Sequence, residues 1–226
     1  MRVCPIPGFS STYGVMRRMG KAIAVMACLT GPALADDPVT VLALGDSLTQ
    51  GYGLPQDEGF VPQLRDWLTE HDIEARIING GVSGDTTAGG AARIDWSLTP
   101  EVDAMIVALG GNDLLRGIDP GVARGNLDSI LQAAEANAVE VLLVGMDAPG
   151  NYGAEYKAAF DAIYPELAEE YDTLYAPDFF AGLGEGRPSE LQRFFQQDGI
   201  HPNAKGVSRI VEDLGPHVRR LIRSVE

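Results

Sequence analysis

Cysteine is almost missing from this chain of 226 residues: Cys4 and Cys28 are the two, and none follows. Beyond residue 28 a disulfide framework and a thiol nucleophile are therefore excluded. Histidine is scarce as well. There are three, His71, His201 and His217, so an imidazole base must come from this short set. Positive charge is also in short supply: 17 Lys and Arg stand against 32 Asp and Glu, a formal charge of −15. Such a surface repels polyanions. Nucleic acid is excluded as a partner, and anionic membranes and highly charged molecules such as acyl-CoA are disfavoured at long range. Long apolar runs are absent too. The run 22–29 is too short to span a bilayer.

That run nevertheless has a clear setting. The first 35 residues carry Arg2, Arg17, Arg18 and Lys21 and no acid. The apolar run follows Lys21, and Ala33-Leu34-Ala35 closes the segment. A basic region, a short apolar region and an Ala-x-Ala site predict a secretory signal peptide over 1–35, cleaved after Ala35. Met16 and Met19 offer alternative starts, and Cys28 after Val25-Met26-Ala27 a weaker lipidation site. The expected product is a periplasmic or secreted domain, 36–226, without cysteine. Losing four bases and no acid leaves it 13 Lys and Arg against 32 Asp and Glu, a charge of −19.

The remainder alternates between two periodicities. Short apolar runs at 39–44, 74–79, 103–109, 139–144 and 173–176 read as strands. Between them Phe60, Leu64, Trp67 and Leu68 mark one helix, and a second runs from about Asp85 or Thr86 to Trp96. Pro120 opens a third. Tyr156, Phe160, Ile163 and Leu167 predict a fourth, continuous helix. Val207, Ile210, Val211, Leu214, Val218 and Leu221 mark a terminal one. The segment 179–188 reads as irregular. Strands alternating with helices predict a three-layer α/β/α domain with a five-stranded parallel sheet of flavodoxin-like order 2-1-3-4-5.

In such a sheet chemistry collects beyond the carboxyl ends of the strands. Three of these ends carry polar, glycine-bearing loops: Gly45-Asp46-Ser47, Ser83-Gly84-Asp85 and Gly111-Asn112-Asp113. A serine hydroxyl is a weak nucleophile and needs a base. His71 and His217 read as surface groups, whereas His201 stands in Asp198-x-x-His201 just before the terminal helix. A carboxylate three residues away can orient that imidazole. The amides of Ser47 and Gly84 and the side chain of Asn112 are candidate donors to an oxyanion. Two other readings use the same loops: a metal-dependent phosphoesterase built on Asp46, Asp85, Asp113, Asp198 and His201, and a non-catalytic lipid- or carbohydrate-binding module.

Gly45-Asp46-Ser47-Leu48, Gly84 within Ser-Gly-Asp-Thr, Gly110-Gly111-Asn112-Asp113 and Asp198-Gly-Ile-His201-Pro together resemble the four blocks of the SGNH (GDSL) hydrolase family. Asn151-Tyr152-Gly153 and the stretch from Tyr156 to Pro165 resemble its bacterial thioesterase I/protease I/lysophospholipase branch, also known as arylesterases. The resemblance implies a metal-free, cofactor-free hydrolase of esters or thioesters. It implies Ser47 as nucleophile, His201 as base, Asp198 as its orienting partner, and Ser47, Gly84 and Asn112 as oxyanion donors. Small acyl or aryl esters and lysophospholipids are the substrates expected. Leu114, Leu115, the loop 149–152 and Phe179-Phe180 are candidates for an apolar groove.

Overall fold

A computed structural model describes residues 38–225; the expected signal peptide and the Cys28 site lie outside them. Five strands, β1 (Val39–Gly45), β2 (Ala75–Gly81), β3 (Ala104–Ala108), β4 (Glu140–Val144) and β5 (Leu174–Ala176), form one sheet. Their order is β2-β1-β3-β4-β5 and every pairing is parallel. β3 is buried at every position, as a central strand covered on both faces must be. β2 lies at an edge and leaves Arg76 and Asn79 exposed.

Helices α1 (Ser47–Gln50), α2 (Phe60–Glu70), α3 (Thr87–Ser97), α4 (Gly111–Arg116) and α5 (Pro120–Ala136) fill the first three crossovers. Helices α6 (Ala154–Asp161) and α7 (Ile163–Glu170) precede β5, and α8 (Pro188–Leu191) and α9 (Ala204–Val225) end the chain. α2 packs with α9, and α3 packs with α5. α9 buries Val207, Ile210, Val211, Leu214, Val218, Leu221 and Ile222 on one side, a stripe of helical period. Gly215 brings α9 against α2: a Cβ there would lie 2.6 Å from the Trp67 ring. No described helix is long and apolar enough to cross a membrane.

Three expectations need correction. The single helix expected over Tyr156–Leu167 is two, broken at Ala162. Pro165 has no N–H for the carbonyl of residue 161 and its ring crowds that carbonyl, so the break falls one turn upstream. The segment 179–188 is not wholly irregular, for a turn of 3₁₀ helix forms at Ala181–Leu183 and α8 begins at Pro188. His217 is half-buried rather than a surface group; burial lowers its pKa, and Arg220 lies at hydrogen-bond distance, 2.7 Å from Nδ1.

Candidate active site

Ser47 follows β1 by one residue and opens α1. Asp46 caps that turn, accepting the Leu48 N–H at 2.9 Å, and Gly51 closes it with φ 87°, a conformation that favours glycine. The turn presents Ser47 from rigid backbone, with 8% of the residue exposed. His201 stands 154 positions further on, in the loop before α9. Two features hold that loop over Ser47. Gln196 donates its side-chain amide to the Tyr52 carbonyl at 2.8 Å and to the Pro202 carbonyl at 3.0 Å. The Tyr52 ring also lies 4.6 Å from the imidazole.

Ser47 Oγ and His201 Nε2 are 2.8 Å apart, and His201 Nδ1 is 2.7 Å from Asp198 Oδ2. A carboxylate only accepts, so the proton sits on Nδ1. Nε2 is left as the acceptor for the Ser47 hydroxyl. Asp198 Oδ1 in turn accepts the Ile200 and His201 amides at 2.9 and 3.0 Å. The His201 hydrogen bond, helped by these two amides, pulls the Asp198 pKa down to about 2. The side chain therefore stays charged beside the imidazole at neutral pH.

Gly84 and Asn112 face the same space. Gly84 has φ 82°, and Arg116 Nη2 donates to its carbonyl at 2.8 Å. Neither the Ser47 nor the Gly84 amide has an acceptor among the described residues. Asn112 lies in the first turn of α4. Its Nδ2 donates to Asp46 Oδ2 at 3.1 Å, and its second N–H is unengaged by any described residue.

Two polar clusters, one buried and one partly buried, brace these loops. Asp113, fully buried, accepts the Thr87 amide at 2.8 Å and the Thr87 hydroxyl at 2.6 Å, tying α4 to the start of α3. Arg93 pairs with Asp85 at 2.8 Å and donates to the Gly45 carbonyl at 2.9 Å. Asp85 is therefore not the cap of α3; Thr86 is, accepting from the Gly89 amide.

Ser47, Gly84, Asn112 and His201 open onto a cavity of about 620 Å³. Leu114, Leu115, Met146, Pro149, Tyr152, Phe180, Phe195 and Ile200 supply most of its wall, and no Lys or Arg among the described residues lines it. The groove residues expected from sequence thus line it, except Phe179. That ring is core, packed 5.5 Å from Phe60. Met146, Phe195 and Ile200 were not expected, and neither were the bracing roles of Asp46, Arg116 and Gln196.

The residues considered for a metal centre point their oxygens at protein donors instead: Asp46 at Leu48 and Asn112, Asp85 at Arg93, Asp113 at Thr87, and Asp198 at His201. No three His, Cys, Asp or Glu among the described residues are grouped to hold an ion.

Comparison with known proteins shows the family. Residues 43–209 match the GDSL-like Lipase/Acylhydrolase family. The chain is 36% identical to Esterase TesA of Pseudomonas aeruginosa over 205 residues, covering 89% of this chain and 100% of that protein. It is also 36% identical to Thioesterase 1/protease 1/lysophospholipase L1 of Escherichia coli over 199 residues, covering 87% and 90% respectively. The crystal structure of AlinE4, an SGNH-hydrolase family esterase, superposes with a TM-score of 0.66 at 44% identity, covering 81% of this chain and 96% of that one.

Proposed function

The chain belongs to the GDSL-like lipase/acylhydrolase family and is a carboxylic ester hydrolase; from that premise we propose that it works by acyl transfer through Ser47. The observation that carries this reading is the Ser47–His201–Asp198 chain of hydrogen bonds, at 2.8 and 2.7 Å. In the first step His201 Nε2 takes the hydroxyl proton as Ser47 Oγ attacks the ester carbonyl. Asp198 holds the imidazole in the tautomer that can accept and stabilises the cation that forms. The amides of Ser47 and Gly84 and the side chain of Asn112 receive the oxyanion. His201 then protonates the leaving alcohol, and water releases the acid by the same steps in reverse roles.

The cavity supports the choice of substrate. An apolar wall without a cation suits an uncharged acyl or aryl group and offers nothing to an anionic carrier. Small acyl and aryl esters and the acyl end of lysophospholipids fit it. The relatives named above are an esterase and a thioesterase/protease/lysophospholipase. Thioesters of small uncharged thiols are further candidates on chemical grounds. We further propose that residues 1–35 direct export, which would keep the enzyme away from cytoplasmic acyl-CoA.

The test is hydrolysis of p-nitrophenyl esters from acetyl to palmitoyl by the domain from Asp36, with and without EDTA. Turnover indifferent to EDTA, with a chain-length optimum, supports the reading. Absence of turnover on every ester, or loss of turnover with EDTA, overturns it.

A further inference from the structure

Asp46 is buried to 1% exposure and has no chemical step in acyl transfer. Placing a carboxylate there is costly unless its oxygens are satisfied. One oxygen accepts the Leu48 amide, a capping bond that Asn would make equally well. The other makes a long-range bond to the Asn112 amide, across 66 positions of sequence. It joins the end of β1 to the end of β3. Burial raises the Asp46 pKa, and the Leu48 and Asn112 hydrogen bonds draw it back.

The second bond does something the first does not. The terminal torsion of an asparagine is broad and its amide turns easily. With one N–H held by Asp46, the plane of the Asn112 amide is fixed, and the remaining N–H is left for the cavity that Asn112 lines with Ser47 and Gly84.

We propose that Asp46 is the positioning residue of the oxyanion hole: its carboxylate fixes the Asn112 amide so that the free N–H faces the substrate oxygen. This rests on the reading of Asn112 as an oxyanion donor. Asp46→Asn is the informative change, because it has nearly the same shape and keeps the Leu48 bond. Its NH₂ then meets the NH₂ of Asn112. The Asn112 amide turns over, and its carbonyl oxygen replaces the donor beside the developing negative charge.

The experiment is a double-mutant cycle on a p-nitrophenyl ester with Asp46→Asn, Asn112→Ala and both together. Asn112→Ala should lower kcat by about 10²–10³-fold, the usual effect of deleting one oxyanion donor. Asp46→Asn should lower kcat by at least about tenfold with KM changed less than about twofold, the pattern of an interaction made in the transition state. The double variant should be no slower than Asn112→Ala alone, because the role proposed for Asp46 is exerted through Asn112 and the Leu48 bond is kept by asparagine.

Multiplying losses, or a kcat for Asp46→Asn equal to wild type while Asn112→Ala is slow, would overturn the role of Asp46 and leave the hole intact. An Asn112→Ala enzyme as fast as wild type would overturn the hole itself. A measurement on the wild-type fold covers the case in which Asp46→Asn does not fold. The side-chain amide protons of Asn112 are identified by their absence from the Asn112→Ala spectrum. One should be protected from exchange and one not; equal, fast exchange of both would overturn the proposal.

Discussion

Asp198→Asn isolates what the charge on this residue contributes, and the structure fixes how the new side chain must sit. Asp198 Oδ1 accepts two backbone amides, those of Ile200 and His201. An asparagine keeps both bonds only with its oxygen in that position, which turns its NH₂ toward His201 Nδ1. Nδ1 must then be bare, the proton moves to Nε2, and His201 offers Ser47 a donor in place of a base. The opposite orientation preserves the useful tautomer but aims an NH₂ at two amide donors. At about 1–3 kcal/mol for each unsatisfied amide, the unproductive arrangement is favoured by roughly 2–6 kcal/mol. Asp198 has 37% of its side chain exposed, so water relieves part of that cost and the lower half of the range applies. The expected loss in kcat is about 10²–10³-fold, below the ~10⁴ seen when a fully buried triad aspartate is replaced in the same way. The assay is steady-state hydrolysis of a p-nitrophenyl ester at pH 7–8, with thermal unfolding as a control. Retention of kcat within tenfold of wild type, in a folded variant, would refute the tautomer argument.

The same residue makes a prediction about stability. Its pKa is lower in the folded state, about 2, than the ordinary 3.8, so its contribution is full above the unfolded value and is lost as pH falls through about 2. The Tm gap between wild type and Asp198→Asn should be constant above about pH 5 and close below it; a gap that widens on acidification would contradict the assignment. Arg93→Met leaves Asp85 without its partner; a fully buried pair would cost about 3–5 kcal/mol, and with 18% of the Asp85 side chain exposed the lower end applies, so Tm should fall by roughly 6–12 °C for a domain of this size; a shift under 3 °C in thermal unfolding would show that the pair braces nothing. Gly84→Ala has room for its methyl, the nearest atom being Arg116 Nη2 at 3.8 Å, but φ 82° costs an L-residue about 1–2 kcal/mol. Relaxation turns the amide away, so kcat should fall about tenfold or more while Tm falls by no more than roughly 2–8 °C, and an unaltered kcat would remove Gly84 from the hole. Ile200→Ser trims the apolar wall and should raise KM for octanoyl esters by roughly three- to tenfold, about 1 kcal/mol of lost burial, while acetyl ester kinetics stay as they were; equal effects on both would show that Ile200 does not contact the acyl chain.

The fold was legible because its signals are local. Five apolar runs ending in Gly or Asp loops, separated by segments of helical period, leave little but a parallel sheet, and the order β2-β1-β3-β4-β5 agrees with that expectation. The break at Ala162 was missed because apolar periodicity runs straight through it, although Pro165 was present as a signal. At the site, Ser47, Gly84 and Asn112 were singled out from their places at strand ends, Asp198 and His201 from their spacing before the last helix, and all five from a family resemblance; the structure brings Ser47, Gly84, Asn112 and His201 around one cavity, with Asp198 hydrogen-bonded to His201. What surrounds them was not legible. Asp46 reads in sequence as a turn residue, and only the adjacency of β1 and β3 brings it to Asn112. Gln196 and Arg116 act through backbone carbonyls of distant loops, Tyr52 and Gly84. Nothing in their own sequence neighbourhood marks such a contact. Arg93 and Asp85, eight positions apart, were within reach of helical reasoning, but the Gly45 carbonyl that completes their cluster was not.

The account turns on a covalent bond to Ser47. The most direct measurement is to treat the domain from Asp36 with an alkyl fluorophosphonate and locate the adduct by peptide mass mapping, with Ser47→Ala in parallel. One adduct per chain on Ser47, inactivation in step with labelling, and neither labelling nor turnover in Ser47→Ala is the result expected. An adduct on another residue, or full ester turnover by Ser47→Ala, would contradict the account.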